Sequence, residues 1–438
     1  MQTTAGSHAL VGSVVPRDAH VVARLRKAGA IILAKANLAE WSNYRGHKPG
    51  MANGWSGRGG QCTNAYLQNG DPGGSSSGSG VCASIGLAAG ALGTETNGSI
   101  VSPSQRSNIV GIKPTVGLTS RNGVIPISEH EDTVGPMCRC VADAAILLQA
   151  IVGPDDRDPY TADQPVPPPV YTTALRPEGL RGVRIGVPRK AFAGESWLKE
   201  WPDILPAFEQ ALDVLRALGA EVVDPVDYEI TADVRKRTHE QVVMAVEMKD
   251  GVNRYLSEMV EVPTGVRTLA DVLAFNDAHP ELEKPPGYHD QSRMQEAEDT
   301  EGFDEKYLEA LQHCKELSTH SLILKSLKTD NLRALVYPSN SSAIIYSAAL
   351  AGFPHITVPL GFMSDDTPDL PSQHPKLTGP GLPFGIGFTG KAYSEYELIS
   401  YAYAFEQATN HRSRRKPYAA ATPQTQLNHV RKDGNALH

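Results

Sequence analysis

The chain has few cysteines, no long apolar run and no surplus of positive charge, and each shortage excludes a class of protein. Cys62, Cys82, Cys138, Cys140 and Cys314 are its only five cysteines. The number is odd and the spacing irregular, so no disulfide framework is expected, and Cys138 and Cys140 lack the second pair that a zinc site would need. Reduced thiols and a cytoplasmic setting are the expectation, in keeping with opening residues that show no hydrophobic signal segment. A net charge of −8, spread along the chain, argues against a nucleic-acid or anionic-membrane partner. No stretch approaches the uninterrupted apolar length of a membrane-spanning helix. No metal, nucleotide or flavin motif is visible, so the expected chemistry needs no cofactor.

What is present is an alternation of helical and strand periods around a normal globular composition, 40% hydrophobic and 21% charged. Asp18 is placed to cap a helix ending at Gly29, and Ala30-Ile31-Ile32-Leu33-Ala34 has the composition of a buried strand. Residues 43 to 73 form a long loop, Ser77 to Ala89 a small-residue helix, and strands are expected at Ala91–Thr94 and Ile109–Ile112. A helix follows over Val141–Ile151, then a surface connection over Gly153–Val170. A strand at Val183–Val187, a helix over Pro202–Leu218 and a strand at Glu221–Val223 resume the alternation. Residues 235 to 330 are helical and charged, an expected cover inserted into the series. Strands return at Arg333–Tyr337, His355–Val358 and Phe384–Phe388, and a helix at Glu395–Thr409. The expected class is α/β: one large domain over residues 1–412 with a central mixed β-sheet flanked by helices and a helical insertion, then a polar tail from 413 to 438.

Two glycine-rich, serine-bearing stretches concentrate the chemistry: Gly73-Gly74-Ser75-Ser76-Ser77-Gly78-Ser79-Gly80 and Gly93-Thr94-Glu95-Thr96-Asn97-Gly98-Ser99-Ile100. Glycines let backbone N–H groups approach a ligand, and serines supply hydroxyls. A flexible linker is the bland alternative, but a linker separates two self-contained patterns, and these tracts lie inside one αβ series. A serine esterase of the α/β-hydrolase type is the second alternative, because Gly74-Ser75-Ser76-Ser77-Gly78 fits G-x-S-x-G with Ser76 as nucleophile. That motif needs a hydrophobic strand running into the turn, and Gln68-Asn69-Gly70-Asp71-Pro72 is turn chemistry instead.

Taken together with Val110-Gly111-Ile112-Lys113-Pro114-Thr115-Val116-Gly117, Asp132-Thr133-Val134-Gly135-Pro136-Met137, Thr3-Thr4-Ala5-Gly6-Ser7 and Pro383-Phe384-Gly385-Ile386-Gly387-Phe388, the two loops resemble the amidase signature family over nearly the whole chain. Thr94-Glu95-Thr96 before Asn97-Gly98-Ser99-Ile100-Val101 is closest to its peptide-amidase branch. The resemblance implies hydrolysis of a linear carboxamide, small or peptidic, to carboxylate and ammonia through a serine acyl-enzyme. It implies Ser99 as nucleophile, Ser75 as a proton relay on a cis peptide bond, and the backbone N–H groups of Thr96, Asn97, Gly98 and Ser99 as oxyanion hole. Ser76 is expected to support the relay by hydrogen bonding, Ser77 and Ser79 to cap the following helix, and Ser102, Ser104 and Lys113 to be structural.

Two departures touch the pocket: Asn97 where many members have Gly or Asp, and Val101 where several branches have Arg, which speaks against a tRNA-linked amidotransferase subunit. A third touches the chemistry. The family's catalytic lysine sits in a strand just upstream of Thr3-Thr4-Ala5-Gly6-Ser7, so the expectation is a chain without that strand and with two of three catalytic groups. Lys27 and Lys35 do not match its motif. The alternative is a catalytically inactive amidase-fold protein that binds or regulates. The sequence leaves the amide and the oligomeric state open.

Overall fold

A computed structural model describes residues 1–47, 51–228, 234, 236–320, 323–369 and 375–424, so most of the expected 413–438 tail lies outside the described residues. Eight strands form one mixed sheet: β1 (Gly90–Glu95), β2 (Val110–Lys113), β3 (Thr133–Cys138), β4 (Arg184–Gly186), β5 (Glu221–Val223), β6 (Ala334–Pro338), β7 (His355–Phe362) and β8 (Pro383–Thr389). Their spatial order is β1-β3-β2-β7-β8-β6-β4-β5. The β6-β4-β5 end is parallel and every other pairing antiparallel. The class is α/β, as the alternation predicts, and seven of the eight strands fall within a few residues of their expected places; β3, which pairs with both β1 and β2, is not among those expected.

Period-2 alternation sorts the strands onto two faces. Val110, Ile112, Val134, Ile356, Val358, Ile386 and Phe388 join one large core with the helices Val141–Ile151, Ile204–Ala217 and Glu395–Thr409. Met137 points the other way and packs with Ala83 of the short helix Ser77–Ser84, with Ile100 at the end of the second serine stretch before the short helix Val101–Arg106, and with Ile109 just before β2. Glycines make that second face shallow enough for the serine loops to lie against it. A Cβ on Gly93 would sit 2.6 Å from Met137 Sδ and 3.0 Å from Ser76 Oγ. A Cβ on Gly135 would sit 1.9 Å from the Ile112 carbonyl oxygen, a backbone atom that cannot swing aside. Gly135→Ala is therefore expected to cost about 3 kcal/mol or more, at the upper end for overpacking a core, and a urea midpoint unchanged from wild type would refute this.

Between β5 and β6 the chain builds helices at Thr238–Ser257, Leu269–Ala278, Ser292–Glu298, Glu305–His320 and Ile323–Thr329. Met244, Met248, Val252, Leu269, Val272 and Met294 form a second core with Ala9, Leu10, Trp41 and Tyr44. The N-terminal residues thus tie these helices to the loop preceding the first serine stretch.

Two local expectations fail. The helix His20–Lys27 forms, but its N-cap is Ala19, and the Asp18 carboxylate accepts from Arg26 Nε at 2.7 Å instead of capping. The run Ala30–Ala34 is not a strand. No described strand pairs with it, so Ile31 is 85% and Leu33 64% exposed, the reverse of the burial their composition predicts.

Candidate active site

The first serine stretch enters its helix through a cis peptide between Gly74 and Ser75. Ser75 is buried, and its neighbour Ser76 is anchored to the second stretch by its backbone N–H, which donates to the Ser99 carbonyl at 3.2 Å. This contact brings the two loops together, and Ser75 and Ser99 line one cavity of about 360 Å³ with Thr94, Thr96 and Asp132. The other predicted hydroxyls are committed elsewhere. Ser76 donates to the Thr94 carbonyl and accepts from the Thr94 N–H, both at 3.1 Å, so its one donor is spent on β1. Ser77 donates to the Gly73 carbonyl and Ser79 to the Leu92 carbonyl, so neither caps the helix.

The second stretch leaves β1 and turns at Gly98, whose φ of +99° suits glycine. Among the described residues, none of the N–H groups of Thr96, Asn97, Gly98 and Ser99 donates a hydrogen bond to a protein acceptor. These residues also line a second cavity of about 400 Å³, which Gly74 borders and which shares Ser99 and Thr96 with the first. Free donors beside a half-buried hydroxyl are what a developing oxyanion needs.

Three carboxylates hold this turn: Glu95 and Asp132, which stand inside the motif stretches, and Glu240, which does not. Glu95 ends β1, fully buried, and accepts from the N–H groups of Ile100 at 2.6 Å and Val101 at 2.9 Å, just past Ser99. Its other oxygen meets His355 Nε2 at 2.8 Å, and His355 Nδ1 meets the Tyr337 hydroxyl at 3.1 Å. Burial alone would push the Glu95 carboxyl up, but His355, Lys113 and the backbone donors outweigh it and hold the group down at about 2. Asp132 accepts from the Thr96 hydroxyl at 2.6 Å and from the N–H groups of Ile127 and Ser128. Glu240 accepts from Asn97 Nδ2 at 2.8 Å and from the fork of Arg237 at 2.6 and 2.7 Å.

Burial pushes the Asp132 carboxyl up to about 6 against those hydrogen bonds. The native state therefore binds its proton more tightly than the unfolded chain does, so stability falls as pH rises from about 4 to about 6. Asp132→Asn removes that slope, since the amide oxygen still accepts from Ile127 and Ser128 while Thr96 turns to accept from the amide. The displacement from 3.8 to about 6 is worth at most about 3 kcal/mol, read as the difference between urea midpoints of the two proteins at pH 4 and pH 7. Parallel pH profiles would show that Asp132 is ionised throughout.

No lysine lines either cavity. Lys113, as expected, is structural: it is buried and donates to the carbonyls of Phe353 at 2.9 Å and Pro114 at 3.3 Å, with burial lowering its ammonium to about 8 against the pull of Glu95. Lys35 donates to the Thr3 hydroxyl. Among the described residues, no group of three or more His, Cys, Asp or Glu side chains is placed to hold a metal, and no helix is long and apolar enough to cross a membrane.

Two serines from glycine-bearing loops, a row of open N–H donors and the whole-chain architecture now meet a comparison that decides the family. The Amidase family model matches residues 1–399. The chain belongs to the amidase signature family of hydrolases. It is 41% identical over 414 residues to a probable amidase of Arabidopsis thaliana, covering 93% of this chain and 74% of that protein. The solved structure of native peptide amidase from Stenotrophomonas maltophilia superposes with a TM-score of 0.83 at 41% identity, over 95% of this chain and 81% of that one. A peptide amidase in complex with the competitive inhibitor chymostatin superposes at 0.82 with 41% identity, over 95% and 82%.

Proposed function

We propose that this amidase hydrolyses linear carboxamides, C-terminal peptide amides among them, to carboxylate and ammonia through an acyl-enzyme on Ser99. The observation that carries the reading is the open set of N–H groups at Thr96–Ser99, beside a cavity that Ser75 lines with Ser99 and a second one with room for an acyl chain. Ser75 relays the Ser99 proton to a base and returns one to the departing ammonia. The oxyanion sits on the open donors, and water then attacks the ester. The likeness to peptide amidases supports a peptidic substrate, since one of them binds the peptide-like inhibitor site-competitively.

The scheme needs a base to take the proton that Ser75 carries, the role that the family resemblance gives to a lysine in a strand upstream of Thr3. One experiment tests the function. Ammonia release from a C-terminal peptide amide is measured for residues 1–438 and for a product of the reading frame extended upstream of Met1. Release that depends on Ser99 in either form supports the hydrolase. No release from a chain that does carry the lysine-bearing strand sinks it.

A further inference from the structure

The second cavity carries a cation that the reaction scheme does not use. Arg237 and Arg293 both line it, and their situations differ. Arg237 is neutralised by Glu240, which also holds Asn97. Arg293, half-buried on the helix Ser292–Glu298, lies with its guanidinium 4.2 Å from the centre of the Tyr44 ring and makes no hydrogen bond or ion pair to any described residue. The two carboxylates that act on it are already taken: Glu240 by Arg237 and Asn97, and Glu296 by His47 Nε2 at 2.8 Å. A guanidinium has five donors in a planar fork, and one left unpaired in a partly desolvated pocket is a receptor for a carboxylate. Burial, together with the nearby Arg237 charge, lowers its hold on its own proton, so an incoming anion is favoured there.

We propose that Arg293 binds a carboxylate carried on the acyl part of the substrate, so that the preferred amides are anionic. The assignment rests on the amidase reading for its polarity. Ser75, which hands a proton to the leaving ammonia, lines the first cavity, and the acyl chain is therefore left to fill the second. The Tyr44 ring packs against the guanidinium and holds it in the cavity wall. The carboxylate has two possible carriers, the far end of a dicarboxylic acid monoamide or an acidic side chain of a peptide amide.

Binding, not turnover, decides the matter. Isothermal titration in a Ser99→Ala background compares adipamate with hexanamide, and N-acetyl-glutamyl-alaninamide with N-acetyl-norvalyl-alaninamide. In at least one pair the charged member is expected to bind at least about tenfold more tightly, with the advantage shrinking in high salt. The pair that shows the gain identifies the carrier. Arg293→Gln is expected to erase that advantage, and Arg293→Lys to keep part of it, which separates a charge contact from a folding defect. Equal binding of charged and neutral partners in both pairs overturns the proposal, as does an advantage that survives in Arg293→Gln. Failure of every form of the chain to release ammonia overturns the hydrolase reading, while the titrations still decide whether Arg293 takes an anion.

Discussion

Ser99→Ala is expected to bring ammonia release down to the uncatalysed level, a loss on the order of 10⁴-fold or more in kcat, in whichever form of the chain is active. The open N–H donors at Thr96–Ser99 remain in that variant, but they stabilise charge on an acyl centre that no longer has a nucleophile attached. Ser75→Ala is expected to fall nearly as far. Ser75 is buried, and it lines with Ser99 a cavity that no lysine or histidine lines; of the carboxylates that do, Asp132 is tied to the second serine loop through Thr96. Asp132 itself is occupied by Thr96 and two backbone donors, so no bypass for the proton is at hand. Groups that act as a unit are grossly non-additive, and the double variant should be no slower than the worse single one. KM should change little in either case, because the alanines remove hydroxyls that act on the reacting centre and not on the remote acyl chain. A Ser75→Ala variant retaining more than about a tenth of the wild-type kcat would mean that Ser99 is deprotonated directly and that the relay is wrong.

How much of this was legible beforehand divides along a physical line. The sheet was readable because its strands are bounded by glycine and proline and carry apolar residues at the right period, as at Val110-Gly111-Ile112 and Phe384-Gly385-Ile386. The two serine loops were readable because short-range backbone chemistry leaves a local mark. Ala30–Ala34 misled for the converse reason. Its composition reports a preference for burial, whereas a strand exists only where a neighbour accepts its hydrogen bonds, and composition is silent about neighbours. The groups that hold the site were invisible on other grounds. Glu95 and His355 are 260 positions apart, and Asn97 and Glu240 143. Such pairs are created by the fold alone. Glu95 and Asp132 did stand inside the motif stretches, and that place was the one clue that sequence offered. Arg237, Glu240 and Arg293 lie in a charged helical region where any one of many similar residues fits the pattern.

Glu95→Ala is expected to have the largest effect on stability, about 3–5 kcal/mol, the range for breaking a buried ion pair by removing one partner. Three donors converge on this carboxylate from two parts of the chain: the N–H groups of Ile100 and Val101 and the imidazole of His355. All three lose their acceptor at once, in a place that water does not reach. The sign of the pH dependence follows from the depressed ionisation. A carboxyl held at about 2 in the native state against 4.5 ordinarily contributes stability that is fully present above about pH 4.5 and is lost as pH falls toward 2. Wild type should therefore lose stability steeply below pH 4.5, and Glu95→Ala should lose much less over the same range. Glu95→Gln separates charge from geometry, since its oxygen can still accept from Ile100 and Val101 while its amide faces His355 Nε2. That variant should recover part of the stability yet keep the flattened acid limb. Activity should track the loop and not the charge: the two N–H groups follow Ser99 directly, so losing their anchor loosens the nucleophile and lowers kcat even under conditions where the fold survives. Urea unfolding between pH 3 and 7 together with ammonia release at neutral pH reads all three effects. Identical acid limbs in wild type and Glu95→Ala would show that the Glu95 carboxyl is not held below its ordinary range.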